Sequence, residues 1–426
     1  MNILHINSYD IGGAPKGAFR LHMNLLESGL NSEMFVLAKI NKETKSLSFR
    51  RNFFLLQVRQ KIRILRNSLN NVHTDPDYLF KSDKQVDVSN PEGFYNKLHF
   101  KPDIIVAHWI SDFISVQTLC ELGKLCKAPL IWYLLDMAPL TGGCHYAWDC
   151  KGYTEECGKC PALRSDNPND DSYVQLQNKI RCIKDSNITI VAGSSRLVEQ
   201  ARSAAAFKGK RIEKIMLGID SIIFKQEVRS VARASLGLPP DKKVIFFGAL
   251  YFWDKRKGMG YLLEALKILK NYYAGSHDNI VVSIAGNSSE VESEVRKLFN
   301  CKPLGFINSD SHLASAYQSA DLFVCPSVED SGPMMINEAI LCGTPVVSFD
   351  MGVARDLVHT GITGYRAELK NSFDLAKGIN YVLNLEPDRA EKISDECRKL
   401  GLRLCHPKVQ AKSFQTLFES LVKETP

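Results

Sequence analysis

The feature that most constrains the fold is a repeated alternation of short apolar runs with amphipathic stretches. Each run is four to six residues long and is followed by apolar residues at helical spacing. Repeated strand–helix units predict parallel sheets with crossover helices. The predicted strands are Asn2–Asn7, Met34–Ala38, Ile104–Ala107, Leu130–Leu134 and Ile188–Ala192 in a first series, and Val244–Phe247, Ile280–Ala285, Leu322–Cys325 and Pro345–Ser348 in a second.

Two series of strands predict two doubly wound α/β domains, since 426 residues exceed one ordinary core. Periodicity weakens near Leu217–Gln226, so we expect domains at about 1–215 and 216–395. Residues 396–426 are predicted to form C-terminal helices that return toward the first domain. Within them, Pro407–Lys423 reads as a helix with one apolar face, which consists of Phe414, Leu417, Phe418, Leu421 and Val422. Because doubly wound sheets bind ligands at the carboxyl ends of their strands, we expect the ligand in a cleft between the domains.

Composition and charge exclude several classes of protein. With 45% hydrophobic and 24% charged residues, the chain has the composition of an ordinary globular protein, unlike a disordered, collagen-like or coiled-coil sequence. The net charge of +7 allows an anionic substrate but is too diffuse to indicate nucleic-acid binding. We find no signal-like start and no apolar run long enough to span a bilayer, and twelve cysteines are too sparse for a disulfide scaffold. A cytoplasmic location is expected.

A basic segment at 41–67 stands apart from this pattern. It carries eight Lys and Arg residues, one Glu, and interleaved Phe, Leu and Ile. Such a stretch could rest on the inner face of an anionic membrane or meet a lipid-linked acceptor. The alternative is a solvated helix that covers the edge of the domain.

The most informative motif spans Pro326–Asp350. Seven residues separate Asp330 from Glu338, and the turn Gly332–Pro333 precedes a predicted helix start at Met335. A helix N-terminus offers unpaired N–H groups to a phosphate. Glu338 could accept two hydrogen bonds from ribose hydroxyls, and Asp330 could hold the hydroxyls of a sugar. By the pattern alone, both acids could instead cap the helix.

This segment resembles the signature of the family-4 retaining glycosyltransferases of the GT-B fold, which have an acid, seven residues, a Glu, and a Gly-Thr-Pro-Val-Val strand. The resemblance implies two facing Rossmann-like domains with a central cleft, the first for the acceptor and the second for a nucleotide sugar. Glu338 matches the Glu that holds the ribose. Asp330 stands where the first Glu is usual, and Pro333, Met334 and Met335 would lie on the donor side.

A second match lies in Phe247–Leu266, where Arg256 and Lys257 precede a glycine that opens a helix. The resemblance implies that both cations hold the donor diphosphate. A nucleoside diphosphate gains negative charge as the glycosidic bond breaks, and fixed cations stabilise that charge. The family needs no metal for this step, so no cofactor is expected for transfer. Taken alone, an Arg-Lys pair is more often a solvated surface pair.

Three shorter agreements extend the resemblance. Gly12 and Gly13 follow the first strand, where glycine permits close approach to a donor phosphate, and Lys16 lies one turn on, on the acceptor side. Gly286 follows another strand and belongs to the donor side by the same resemblance. His108 ends a buried strand where the family has a His near the transferred sugar. Taken alone, the glycines could be only a turn, and the His could be structural.

An insertion at about 136–165 resembles one found in the branch of the family that assembles exopolysaccharide, capsule and lipopolysaccharide. That branch often has a His where Leu135 stands, and the neighbouring Asp136 could contact the acceptor. The insertion carries Cys144, Cys150, Cys157 and Cys160, which could ligate a structural zinc ion. An iron–sulfur cluster, disulfides, or packed unligated thiols are the alternatives, with His145 as a competing ligand.

The resulting hypothesis is a retaining hexosyltransferase that moves a sugar from a UDP- or GDP-sugar to a hydroxyl of a glycan or lipid-linked acceptor. Bacterial surface polysaccharide is the expected product. Two alternatives stay open. One is a sugar-nucleotide epimerase of the same fold, and the other is a non-catalytic subunit that binds the nucleotide sugar.

Overall fold

The computed structural model describes residues 1–10, 12–39, 46–48, 74–82, 87, 89–273, 277–286 and 289–424. The basic segment 41–67 therefore lies outside the described residues, apart from Ser46–Ser48. The chain forms two compact units. Unit 1 comprises Met1–Gly193, Leu197–Met216 and Gln410–Pro426, and unit 2 comprises Ser194–Arg196 and Leu217–Val409.

Unit 1 is built on a sheet of seven parallel strands in the order β3-β2-β1-β4-β5-β6-β7. The order reverses direction beside β1, as in doubly wound sheets. The strands are β1 Asn2–Tyr9, β2 Asn31–Ala38, β3 Ser46–Ser48, β4 Ile104–Ala107, β5 Leu130–Leu134, β6 Ile188–Ala192 and β7 Ile212–Lys214.

Unit 2 is built on six parallel strands in the order β10-β9-β8-β11-β12-β13. Here the order reverses between β8 and β11, so the loops that follow these two strands lie side by side. The strands are β8 Lys243–Gly248, β9 Ile280–Ala285, β10 Asn300–Gly305, β11 Leu322–Cys325, β12 Val346–Phe349 and β13 Gly364–Ala367.

Helices connect the strands in both units. Those that the structure describes are α1 Gly13–Glu27, α2 Pro91–Tyr95, α3 Val116–Cys126, α4 Asp171–Lys184, α5 Ser195–Ser203, α6 Arg229–Leu236, α7 Met259–Tyr272, α8 Ser289–Arg296, α9 Asp310–Ser319, α10 Met334–Leu341, α11 Ala354–Leu357, α12 Ser372–Leu383, α13 Pro387–Cys405 and α14 Pro407–Glu424. Across the described part of the chain, no helix combines the length and apolarity that crossing a membrane requires.

Buried apolar strands were the part of the fold that the pattern predicted best. The central strands β4, β5, β6, β9 and β11 have the predicted bounds, and every residue of β4, β5 and β6 is buried. The α/β prediction with doubly wound parallel sheets is thereby confirmed. Four strands were not predicted: β3, β7, β10 and β13. None of β7, β10 and β13 is buried throughout, so they lack a continuous apolar run.

The last helix, α14, belongs to unit 1 from Gln410 onward. Its predicted apolar face is buried at Phe414, Leu417, Phe418 and Leu421, whereas Val422 is exposed. The Phe414 ring packs edge-on against Tyr133 of β5, with centroids 5.2 Å apart. The Gln410 amide donates to the Tyr133 hydroxyl at 3.2 Å. The helix thus contributes core to the first sheet.

Candidate functional site

A basic turn follows β8 in unit 2 and carries Arg256 and Lys257. Asp254 caps it, since its Oδ1 accepts from the Arg256 amide at 3.1 Å and its Oδ2 pairs with the Arg256 guanidinium. Gly258 closes the turn at φ 66°, a left-handed conformation that glycine adopts at low cost. The Arg256 carbonyl accepts from the amide of Val328 at 2.8 Å, in the loop after β11. The turn is therefore fixed to the neighbouring loop.

That neighbouring loop carries Asp330, which pairs with Lys257. Lys257 Nζ lies 2.6 Å from Asp330 Oδ2, and Asp330 Oδ1 accepts from the Gly332 amide at 3.1 Å. Burial alone would raise the pKa of Asp330, but attraction to Lys257 and Arg256 outweighs it and lowers that pKa below its ordinary value. Burial lowers the pKa of Lys257, but the charge of Asp330 and the hydrogen bond to it raise that pKa by more. The pKa of Lys257 therefore lies above its ordinary value. Both groups are therefore charged at neutral pH.

Glu338 lies in α10, the helix that follows this loop, and is 2% exposed. Its Oε2 accepts from the hydroxyl of Tyr317 in α9 at 3.1 Å. Burial, and then the charge of Glu338, raises the pKa of Tyr317, so its hydroxyl remains a donor at all physiological pH values. Tyr317 thus holds the carboxylate of Glu338 in one orientation.

The start of α10 is tightly packed. Pro333 is the N-cap residue and Met334 the first helical residue. A side chain at Gly352 would come within 3.0 Å of the Asp330 carbonyl oxygen, and one at Gly248 would approach Met335 Cε to 3.4 Å. Among the described residues, the buried hydroxyl of Ser331 has no hydrogen-bond partner. The N-terminus of α10 is thus set against the loop ends of β8 and β12.

Unit 2 therefore brings most of the predicted donor residues to one edge of one sheet. Arg256 and Lys257 follow β8, and Asp330 follows β11 and leads into α10 with Glu338. Gly286 follows β9 at φ 128°, where any side chain would collide with the carbonyl oxygen of Ala249 at 2.3 Å. Two cations and their partner acids, Asp254 and Asp330, meet before the helix that carries Glu338, and these groups suit a diphosphate and the hydroxyls of two sugars.

His108 lies in unit 1, at the end of β4, and is 2% exposed. Its Nε2 is 2.9 Å from Nδ1 of His5, and the two rings stack with centroids 5.2 Å apart. Burial, with a contribution from His22, lowers the pKa of His108 to about 3. His108 is therefore neutral at physiological pH, and its Nδ1 has no partner among the described residues.

The first glycine loop lies between β1 and α1. Gly12 and Gly13 are exposed, and Gly12 adopts φ 109° just before α1 begins. The Lys16 amide donates to the Gly12 carbonyl at 3.0 Å, which closes the first turn of the helix. The loop has the backbone conformation that glycine is needed for.

Asp136 is buried and bonded to His145, which the sequence suggests as a metal ligand. Its Oδ2 lies 2.6 Å from Nδ1 of His145, and its Oδ1 accepts from the Ala138 amide at 2.9 Å. Trp109 Nε1 also lies 2.8 Å from His145 Nδ1, and Ser111 Oγ lies 3.3 Å from His145 Nε2. Asp136 thus belongs to a network that joins β4, β5 and the insertion.

The four clustered cysteines are all free thiols. Cys144 and Cys160 are buried, and Cys150 and Cys157 are half-buried. Within the described ranges, no three or more Cys, His, Asp or Glu side chains already stand in the arrangement of a metal site.

Sequence reasoning missed several residues that the structure adds to these sites. Asp254 could have been found from the Asp-x-Arg spacing typical of a capped turn. Tyr317 and His5 gave no signal, because their partners Glu338 and His108 are 21 and 103 residues away in the chain.

Comparison with known proteins places these sites in context. Residues 228–400, less than half of the chain, match the family model described as glycosyl transferases group 1. A D-inositol 3-phosphate glycosyltransferase of Mycolicibacterium smegmatis is 30% identical over 197 residues, which cover 44% of this chain and 43% of that protein. An uncharacterized glycosyltransferase of Methanocaldococcus jannaschii is 25% identical over 67% of each chain. Arg256, Lys257, Asp330 and Glu338 all lie within the matched residues 228–400.

Solved structures match over the whole chain. Sucrose-phosphate synthase of Thermosynechococcus elongatus has a TM-score of 0.66 and 15% identity over 100% of both chains. HepE of Anabaena, in complex with UDP and glucose, has a TM-score of 0.65 and 16% identity over 99% of this chain and 100% of its own. The predicted GT-B fold class is confirmed.

Proposed function

We propose that the protein is a retaining glycosyltransferase that moves a hexosyl unit from a UDP- or GDP-sugar to a hydroxyl acceptor in the assembly of a bacterial surface glycan. The match to the glycosyl transferases group 1 model and the names of the relatives support glycosyl transfer. The complexes of HepE with UDP and with UDP-glucose support a nucleotide-sugar donor. One similar structure is that of WaaG, a glycosyltransferase involved in lipopolysaccharide biosynthesis, which supports the product class.

The observation that carries the proposal is the ion pair of Lys257 with Asp330 beside Arg256 and the N-terminus of α10. In the proposed complex Arg256, Lys257 and Gly286 face the diphosphate, and the amides of Met334 and Met335 add the positive end of the helix dipole. Glu338 accepts from the ribose hydroxyls, with Tyr317 holding its carboxylate. Asp330 bonds the hydroxyls of the transferred sugar.

The reaction breaks the bond between the anomeric carbon and the diphosphate oxygen and forms a bond from that carbon to the acceptor oxygen. The acceptor proton passes to the departing diphosphate. Negative charge grows on the diphosphate as the bond breaks, and cations that are already in place stabilise it without reorganisation. Two cations held by Asp254 and Asp330 meet that requirement, since their side chains are fixed before the donor binds.

Unit 1 supplies the acceptor side of the proposal. We assign Gly12 and Gly13 to close backbone approach to the donor, and Lys16 and Asp136 to the acceptor. His108 is assigned to the reacting sugar. Because its ring is neutral, it contributes a hydrogen bond and no charge.

The test is transfer of radiolabelled sugar from UDP- and GDP-sugars to a lipid-linked glycan acceptor mixture. We compare wild type with Lys257→Ala and Glu338→Gln, and expect both variants to lose at least about tenfold in kcat/KM, the effect of about 1.4 kcal/mol in transition-state binding. Lys267→Ala is the matched control, since Lys267 lies on the next helix in an exposed pair with Glu264.

Unchanged transfer by the Lys257 and Glu338 variants would contradict the site assignment. Conversion of the nucleotide sugar into its epimer without transfer would identify the epimerase instead. Binding of the nucleotide sugar with neither product would identify a non-catalytic binding subunit.

A further inference from the structure

The insertion of unit 1 gathers four cysteines, which the proposed transfer reaction does not use. We call Cys144, Cys150, Cys157 and Cys160 the thiol cluster. Cys144 and Cys160 pack together in one small buried cluster. Cys150 and Cys157 lie beside one glycine, since a Cβ at Gly152 would be 3.6 Å from the Cys150 sulfur and 3.3 Å from the Cys157 Cα. The four cysteines, from 17 consecutive residues, thus lie as two close pairs, and the Cys-x-x-Cys turn from Cys157 to Cys160 joins the pairs.

The loop that carries the cluster is held in a conformation that ordinary residues avoid. Trp148, Cys157, Lys159 and Arg164 all have φ between 45° and 58°, so half of the eight non-glycine residues with positive φ in the described chain lie here. Gly158 has φ 91°, and a side chain there would meet the Pro168 carbonyl oxygen at 2.1 Å. Such strain persists where surrounding bonds over-determine the backbone. The turn at Cys157–Cys160 thus has a fixed shape.

The surroundings of the cluster are anchored to the rest of unit 1. Cys160 N donates to Asp170 Oδ2 at 2.9 Å, and the carbonyl of Cys144 accepts from Thr141 Oγ1 at 2.6 Å. Cys144 and Cys160 form a small buried cluster with Ala162, against which Tyr78 and Phe80 pack. This apolar cover shields two of the sulfurs from water.

His145, the competing ligand, is excluded by its own bonds. Its Nδ1 faces Asp136 and Trp109 and its Nε2 faces Ser111, so neither ring nitrogen is available to the cluster. The ligand set is therefore four sulfurs.

We propose that Cys144, Cys150, Cys157 and Cys160 bind one divalent metal ion of the kind that prefers thiolates, with zinc as the expected ion. The thiols are not yet arranged as ligands within the described residues, but Cys144 and Cys160 already pack together, and Cys150 and Cys157 lie beside Gly152. Zinc binding releases the thiol protons and requires the side chains to turn until all four sulfurs lie at about 2.3 Å from the ion in tetrahedral geometry.

The role of the metal is structural. It closes the insertion that carries Asp136 and His145, and leaves no open coordination position for a substrate, as four-thiolate zinc sites do. Four thiolates could also hold an iron–sulfur cluster, but a single small ion suits two pairs of cysteines that already lie close together.

The first experiment measures the metal content of the untagged full-length chain, purified without chelators, by elemental analysis and native mass spectrometry. We expect about one zinc per chain, released when a mercurial reagent modifies the thiols. Growth with cobalt should give a chain with the absorption bands of tetrahedral cobalt–thiolate coordination. A folded chain that carries only background metal and takes up no cobalt would overturn the proposal, as would a disulfide within the cluster in peptides mapped without reduction.

The second experiment compares Cys157→Ser/Cys160→Ser with Cys182→Ser/Cys301→Ser. Both pairs are half-buried or buried thiols, but the second pair lies outside the cluster. We expect zinc to fall below a tenth of wild type in the first variant and to stay at one per chain in the second. Equal zinc in both would overturn the assignment. If the first variant does not fold, the stoichiometry and cobalt spectrum of the wild type decide.

Discussion

At the scale of single residues, the candidate donor site is a set of charges that neutralise one another before any donor binds. Lys257 pairs with Asp330, and Arg256 with Asp254. The motif predicted three of these residues but not the pairing of Lys257 with Asp330, which lie 73 residues apart. Only the parallel order of β8 and β11 brings the two loops together.

The Lys257–Asp330 pair gives a pH dependence whose sign follows from the two pKa shifts. The folded pKa of Asp330 lies below 3.8, so its contribution to stability is present above that value and is lost as the pH falls through the folded pKa. The folded pKa of Lys257 lies above 10.5, so its contribution is present below that value and is lost as the pH rises through the folded pKa. The pair therefore stabilises the fold over the whole neutral range.

Asp330→Asn removes the carboxylate that faces the half-buried Lys257, so the pKa of Lys257 should fall. As the pH rises, Lys257 should therefore lose its charge at a lower pH in this variant than in wild type. We expect nucleotide binding, measured by calorimetry across a pH series, to weaken at that lower pH. The difference in unfolding free energy between the two proteins should be constant at neutral pH and shrink toward both extremes. In Glu264→Gln, which breaks an exposed pair, we expect wild-type binding and less than about 1 kcal/mol of change. Identical pH profiles for Asp330→Asn and wild type would contradict the pairing.

At the scale of elements, the sequence predicted the strands whose residues are buried and missed strands that depend on pairing with a neighbouring strand. The strands β4, β5 and β6 read directly as apolar runs. The outer strands β7, β10 and β13 are partly exposed, and their sequences show no such run. Pairing with an adjacent strand makes them strands, and a single sequence does not display that pairing.

The turn between β8 and α7 depends on Gly258. A side chain there would come within 1.9 Å of the Pro326 carbonyl oxygen, and the backbone has φ 66°. We expect Gly258→Ala to lower the unfolding free energy by at least about 1–2 kcal/mol, the cost of a left-handed non-glycine residue, in urea titrations. Because the same turn positions Lys257 against Asp330, transfer activity should fall as well.

Gly260→Ala is the matched control for this turn. Gly260 lies two residues on, in α7, and a side chain there meets nothing within 4 Å. Alanine favours a helix over glycine, so we expect this variant to gain up to about 0.5–1 kcal/mol and to keep its activity. Equal stability of the two variants would show that Gly258 is not required by its backbone conformation.

At the scale of the whole molecule, the chain holds two α/β units, each with a parallel sheet of its own. The resemblance carried by Asp330 and Glu338 predicted the fold class, which the solved structures confirm. It could not supply the donor base, because the roles predicted for the motif residues concern the diphosphate, the ribose and the transferred sugar. The effect of bound nucleotides on the stability of the protein can identify the donor base.

A nucleotide that binds only the native state stabilises it by about 2.7 kcal/mol at 100 times its Kd. We expect UDP or GDP, but not ADP, to raise the melting temperature of the wild-type chain in calorimetric scans, and the larger shift to identify the donor base. If the units melt separately, the nucleotide should shift the melting transition of unit 2, which carries Lys257 and Glu338. Removing zinc should shift the transition of unit 1, which carries the thiol cluster. Lys257→Ala should lose the nucleotide shift and keep the response to a chelator. No shift with either nucleotide at millimolar concentration would contradict the donor site.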